Sequence, residues 1–133
     1  MKVIFTNGCF DMIHRMHVEL LGFCKSRGDK VVVGLNSDSS VKRLKGDARP
    51  IFNQEDRKFV LEAFESVDEV LIFDEDTPYE LIKELKPDEI VKGGDYEESE
   101  VVGNDIAKVV LFNYIEKYST TNTLSSLQKD IIL

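Results

Sequence analysis

Five short apolar runs punctuate this chain, and each is continuous rather than alternating: Val3-Ile4-Phe5, Val31-Val32-Val33-Gly34-Leu35, Val70-Leu71-Ile72-Phe73, Glu89-Ile90-Val91 and Val109-Val110-Leu111-Phe112. A strand that is apolar on both sides of its pleat is one covered on both faces. Between these runs the spacing changes to a helical one. Roughly His14 to Ser26 predicts a helix with Leu20, Leu21 and Cys24 on one face and Arg27-Gly28-Asp29 as its stop. A second helix is expected from about Gln54 to Glu65. Asn53 is its N-cap, Glu55 and Asp56 lie in its first turn, and Val60, Leu61 and Phe64 are on its buried side. A third runs from Pro78 to Leu85, closed by Lys86-Pro87, and a last one follows Thr121; Glu98 to Asp105 is ambiguous between loop and short helix.

Strands alternating with helices require crossover connections, and these place the strands parallel with helices above and below. The expectation is α/β: a single Rossmann-like domain over residues 1–133, with a parallel sheet of about five strands and helices on both faces. In such sheets ligands bind beyond the carboxyl ends of the strands. The residues that follow each strand therefore matter most. They are Thr6-Asn7-Gly8, Asn36-Ser37-Asp38, Asp74-Glu75-Asp76, Lys92-Gly93-Gly94-Asp95 and Tyr118-Ser119-Thr120-Thr121. Four of these are small, polar or mixed in charge; the purely acidic one reads as solvated surface.

Composition narrows the function classes. At 133 residues the chain is long enough for one core and short for two. Twenty-five acids against 17 Lys+Arg leave a formal charge of −8, which argues against a general nucleic-acid binder but not against a small anion held by a few focused cations. No apolar run approaches the roughly 18–20 residues that cross a bilayer, and Met1 to Asn7 is too short and too polar for a signal peptide. Cys9 and Cys24 are too few for a disulfide framework. A cytoplasmic protein with two reduced thiols is expected.

Candidate chemistry concentrates after the first strand. His14 and His17, the only histidines, are three apart and share a face at helical spacing. At a helix start they stand beside free N–H groups, a ready anion site. Two other readings are a pair of surface histidines capping the helix and a metal pair. The metal pair is poor, since no thiolate or carboxylate stands at ligand spacing. Arg57 shares a helical face with Val60, Leu61 and Phe64. It is either a helix-start residue reaching solvent or a phosphate clamp.

Phe10-Asp11, His14 and His17 together resemble the two-histidine signature of the cytidylyltransferase-like nucleotidyltransferases, enzymes that join a nucleotide to a small phosphorylated alcohol or sugar. The resemblance continues in order through Leu35-Asn36-Ser37-Asp38, Lys45-Gly46, Arg49-Pro50, Glu55-Asp56-Arg57, Lys92-Gly93-Gly94-Asp95-Tyr96 and Tyr118-Ser119-Thr120-Thr121. Within the family the chain is most similar to the adenylyltransferase domains of ADP-heptose synthases, and more distantly to glycerol-3-phosphate cytidylyltransferases. Tyr114 stands where the glycerol-phosphate branch carries Arg, which favours the heptose branch.

The resemblance implies attack by a sugar phosphate on the α-phosphorus of a nucleoside triphosphate, with Mg²⁺ and loss of pyrophosphate. It assigns catalytic contacts to His14, His17, Lys45 (on a flexible loop after the second strand) and Arg57. It assigns nucleotide contacts to Thr6, Asn7, Phe10, Asn36, Lys92, Gly93, Asp95, Ser119, Thr120 and Thr121, and a weak metal contact to Asp11. A homodimer is a further family expectation. Met16 departs from the pattern: the family has Gly between the two histidines, and a thioether there is expected to obstruct or reshape the base pocket.

Overall fold

In a computed structural model, residues 1–94 and 96–113 are described. Five strands, β1 (Val3–Gly8), β2 (Lys30–Asn36), β3 (Glu69–Phe73), β4 (Glu89–Gly93) and β5 (Lys108–Phe112), form one parallel sheet in the order β3-β2-β1-β4-β5. All five apolar runs are strands. The helices are α1 (Arg15–Arg27), α2 (Asp38–Lys45), α3 (Gln54–Glu62) and α4 (Tyr79–Leu85), with a 3₁₀ turn at Glu98–Glu100. The helix expected after Thr121 lies outside the described residues.

The pleat sorts the strand side chains into two cores. Ile4, Val31, Val33, Leu35 and Val91 pack against Leu20, Leu21 and Cys24 of α1 and Leu61 of α3. Their neighbours Phe5, Val32 and Ile90 turn to the other face, against Ile82 of α4, Val101 and Val109. Both faces of β1, β2 and β4 are thus buried, which is why their runs do not alternate. Each fully buried aliphatic side chain contributes roughly 1.5–3 kcal/mol. Gly34 is required by the close approach of β1: a Cβ there would lie 2.7 Å from Phe5 Cζ.

Carboxylates organise the opposite, amino-terminal edge of the sheet. Asp88 accepts from Val3 N and Asp68 from Val31 N, each at 2.7 Å. Glu89, almost fully buried, is gripped by Arg27 Nε at 2.6 Å and Lys2 Nζ at 2.9 Å. The Arg27 hydrogen bond, aided by Lys2, outweighs burial and lowers its carboxyl to about 2.

Two expectations need correction. Lys45 is not on a flexible loop; it is the last residue of α2. Val60 is not on the buried side of α3 but 46% exposed, because the packed positions are Arg57, Leu61 and the half-buried Phe64.

Candidate active site

Strand order reverses at β1, which lies between β2 and β4, so the carboxyl ends of β1 and β4 bound the crevice where open α/β sheets bind ligands. A cleft of about 140 Å³ opens there, lined by Thr6, Asn7, Phe10, Met16, His17, Leu20, Lys92 and Gly93 among others. Through Asn7, Gly8, Cys9 and Lys92 it continues into a larger one of about 370 Å³, which adds Asn36 and Lys45. Most of the described residues expected to contact nucleotide are brought to this one edge. Asp95, Ser119, Thr120 and Thr121 lie outside the described residues.

The two histidines are built into the start of α1 by a reciprocal cap. His14 is the N-cap, and its Nδ1 accepts from Met16 N at 3.3 Å; His17 Nδ1 accepts in turn from His14 N at 3.0 Å. The rings meet edge to face, 4.4 Å between centroids. With both Nδ1 atoms accepting, each neutral ring carries its proton on Nε2. Burial lowers the pKa of both, and His14 adds to the effect on His17, which falls to about 4. The pair is therefore neutral near pH 7 and presents N–H donors rather than charge. His14 Nε2 is buried without a hydrogen-bond partner among the described residues, as is Thr6 Oγ1 in the wall of the cleft. Groups left so are costly unless a ligand or water completes them. Capping thus occupies one nitrogen of the His14 ring and leaves the other without a partner among the described residues.

The charge comes from two lysines. Lys45 and Lys92 are both half-buried, and among the described residues no carboxylate lies within ion-pair distance of either ammonium. Burial lowers both pKa values, and Lys45 lowers that of Lys92 further. Lys92 Nζ rests 5.3 Å from the Tyr96 ring centroid, a cation–π contact. Two partly desolvated ammoniums facing one cavity are an incomplete electrostatic arrangement that an anion completes. Gly94, with φ of 106°, supplies the turn after Lys92 that an L side chain would resist.

Arg57 and Asp11 have other work. Arg57 is neither solvent-reaching nor open to a phosphate: it is 2% exposed, and its guanidinium donates to Phe52 O, Cys9 O and Asn36 O, each at 2.8 Å, and to Asp38 Oδ1 at 2.7 Å. It ties the ends of β1 and β2 to α3. Asp11 does not fit as a magnesium ligand, since its side chain is inaccessible and already accepts from Arg49 Nε, Ile51 N and Phe52 N at 2.7–2.9 Å. Burial would raise its pKa, but these donors outweigh burial and lower it. Both residues line a separate, mostly apolar cavity of about 260 Å³ behind Phe10. Among the described residues no cluster of three or more His, Cys, Asp or Glu could hold a metal ion. Cys9 and Cys24 are free thiols, and burial raises Cys24 to about 12.

The acidic turn after β3 is exposed, as expected of solvated surface, and it also makes contacts: Asp74 accepts from the Ser37 hydroxyl, and Asp76 pairs with Arg43 at 2.8 Å and lines the larger cleft. Arg49 was also missed as a partner of Asp11; a buried, reversed Asp–Arg pair 38 residues apart leaves no local trace in the sequence.

The model of the cytidylyltransferase-like family matches residues 5–128. The chain belongs to that family. Among curated relatives, the bifunctional protein HldE of Aliarcobacter butzleri is 55% identical over 130 residues, which is 97% of this chain and 27% of that protein. HldE of Nitratiruptor sp. is 60% identical over 121 residues, 90% of this chain and 26% of its own. This cytidylyltransferase-like chain thus spans about a quarter of the length of these curated relatives. A solved structure, the lipopolysaccharide core biosynthesis protein from Thermoplasma volcanium, superposes with a TM-score of 0.75 at 27% identity, covering 87% of this chain and 99% of that one. Among the described residues no helix is long and apolar enough to cross a membrane.

Proposed function

We propose that this cytidylyltransferase-like chain transfers AMP from ATP to the phosphate of a sugar 1-phosphate such as heptose 1-phosphate. A phosphate oxygen of the acceptor attacks the α-phosphorus. The new P–O bond forms as the bond from the α-phosphorus to the oxygen bridging it to the β-phosphate breaks, and that electron pair leaves on pyrophosphate. Little covalent help is needed; positioning and electrostatic stabilisation do the work. Lys45 and Lys92 would neutralise phosphate oxygens, and the Nε2–H groups of His14 and His17 would donate to charge developing on the triphosphate. Mg²⁺ is expected to arrive with the triphosphate, held by phosphate oxygens and water.

The observation that carries this reading is the pair of half-buried ammoniums without carboxylate partners among the described residues, both lining the larger cleft, while His17, the neutral cap partner of His14, lines the smaller cleft that joins it at Lys92. HldE relatives at 50–60% identity support the heptose branch. One feature favours a second reading, a nucleotide-binding module without turnover: Met16 is 6% exposed and lines the smaller cleft. Pyrophosphate release, assayed with ATP and CTP against heptose 1-phosphate and glycerol 3-phosphate, tests both. Turnover with ATP and heptose 1-phosphate is the expected result. Turnover only with CTP and glycerol 3-phosphate would move the chain to the cytidylyl branch, and nucleotide binding with no turnover would leave the binding module.

A further inference from the structure

Beyond the lysines, the larger cleft changes character. Its floor is formed at strand ends, by Asn7 and Lys92, together with Lys45 at the end of α2. Its rim comes from loops: Asp76 and Thr77 after β3, and Tyr96 and Glu100 after β4. At about 370 Å³ the cavity falls within the roughly 300–1,000 Å³ of small-molecule sites. A rim carrying two carboxylates disfavours a second phosphate, while carboxylates, a hydroxyl and a phenol are the groups that bond to alcohols.

Three of these side chains, Asp76, Glu100 and Tyr96, are also held in place. Asp76 Oδ1 is fixed by Arg43 Nε at 2.8 Å, and Glu100 Oε1 by Glu97 N at 2.8 Å. No partner is bonded to Asp76 Oδ2 or Glu100 Oε2 among the described residues, so each anchored carboxylate keeps an oxygen to accept with. The Tyr96 ring is pinned over Lys92 and offers a flat apolar surface.

We infer that this rim is the polyol-reading part of the acceptor site: Asp76, Thr77, Tyr96 and Glu100 bind the hydroxyls and C–H face of a phosphorylated sugar whose phosphate lies at Lys45 and Lys92. The inference rests on the proposed nucleotidyl transfer and adds to it which residues select the acceptor. A three-carbon phosphorylated alcohol places too few hydroxyls at the rim to use all four. Charge sets the polarity of binding, with the anion inward at the ammoniums and the hydroxyls outward at the carboxylates.

The test compares Glu100→Gln, Thr77→Val and Asp76→Asn with the unaltered chain. Each is expected to raise the KM for heptose 1-phosphate roughly tenfold or more, the usual effect of weakening a hydrogen bond to a charged group or deleting one, while leaving the KM for ATP within twofold. An unchanged acceptor KM in all three, or equal rises in both KM values, would overturn the rim assignment while nucleotidyl transfer stood. Should the unaltered chain release no pyrophosphate, calorimetry with heptose 1-phosphate, glycerol 3-phosphate and inorganic phosphate decides the matter without turnover. Tighter binding of the sugar phosphate, lost in Glu100→Gln, supports the rim even though the transfer reading has failed. Equal affinity for all three probes overturns it.

Discussion

At the scale of single residues, the imidazole of His14 caps α1 through one nitrogen and, in the proposed function, donates to the triphosphate through the other, and substitution can separate the two roles. His14→Ala should lower turnover on the order of 10²–10³-fold by deleting a donor to developing charge, and should also cost about 1 kcal/mol of stability through loss of the cap. His14→Asn should restore the cap without the rate. Pyrophosphate release beside denaturant midpoints checks both, and a full rate in either variant would remove His14 from the chemistry. Met16 poses the converse case. Its sulfur lies 3.9 Å from where a Cβ on Gly93 would stand, so it is wedged between α1 and the end of β4. Met16→Gly should deepen the cleft and tighten ATP binding, while emptying a packed position and weakening the helix by about 2–5 kcal/mol in all. Met16→Ala should show the same gain in affinity, read by calorimetry, with a smaller loss of stability. Unchanged affinity in both would mean that the pocket is already shaped around the thioether.

At the scale of elements, α2 is the piece that hydrophobic spacing could not reveal. Its eight residues bury only Ser40 and Val41, so there is almost no apolar stripe to read. What fixes it is polar stitching to neighbours far along the chain. Ser37 caps it, accepting from Ser40 N at 3.1 Å while donating to Asp74. Asn36 Nδ2 donates to Ser40 Oγ at 3.0 Å, and that hydroxyl donates to Glu75 O at 2.8 Å. Ser37→Ala should therefore cost about 1–2 kcal/mol in urea unfolding, the worth of one cap. Because Lys45 ends this helix, the same variant should raise the KM for ATP several-fold. A KM unmoved by a measurable loss of stability would show that the position of Lys45 does not depend on the cap. By contrast α1, α3 and α4 were legible within a few residues. The Asn53 cap is observed at 2.8 Å to Asp56 N, and Pro78 does precede α4.

At the scale of the whole molecule, burial of a neutral histidine makes stability depend on pH with a definite sign. His17 titrates at about 4 when folded and near 6.5 when not. The unfolded chain therefore binds the extra proton first. The stability contributed is complete above about pH 6.5 and is lost as pH falls toward 4, on the order of 3 kcal/mol in all. Below that, protonation of Glu89 adds a further loss. Denaturant midpoints measured from pH 7.5 to 4 should fall along this curve; a flat profile would mean that His17 is not held neutral. The order of the five strands and of α1, α3 and α4, the two-faced burial of the central strands and the sheet edge expected to bind ligands all follow from the linear sequence, because hydrophobic period and crossover geometry are properties of neighbouring residues. The chain order also placed the histidines, Lys45 and Lys92 near that edge. Which cations stay open and which are consumed was decided only in three dimensions. Arg57 and Asp11 carry the same formal charges as an active clamp and a metal ligand, yet backbone carbonyls and amides from distant segments saturate them. Lys45 and Lys92 find no such partners among the described residues. Charge is written in the sequence, but whether it is spent inside the fold or left for a ligand depends on which groups the chain brings within hydrogen-bond reach.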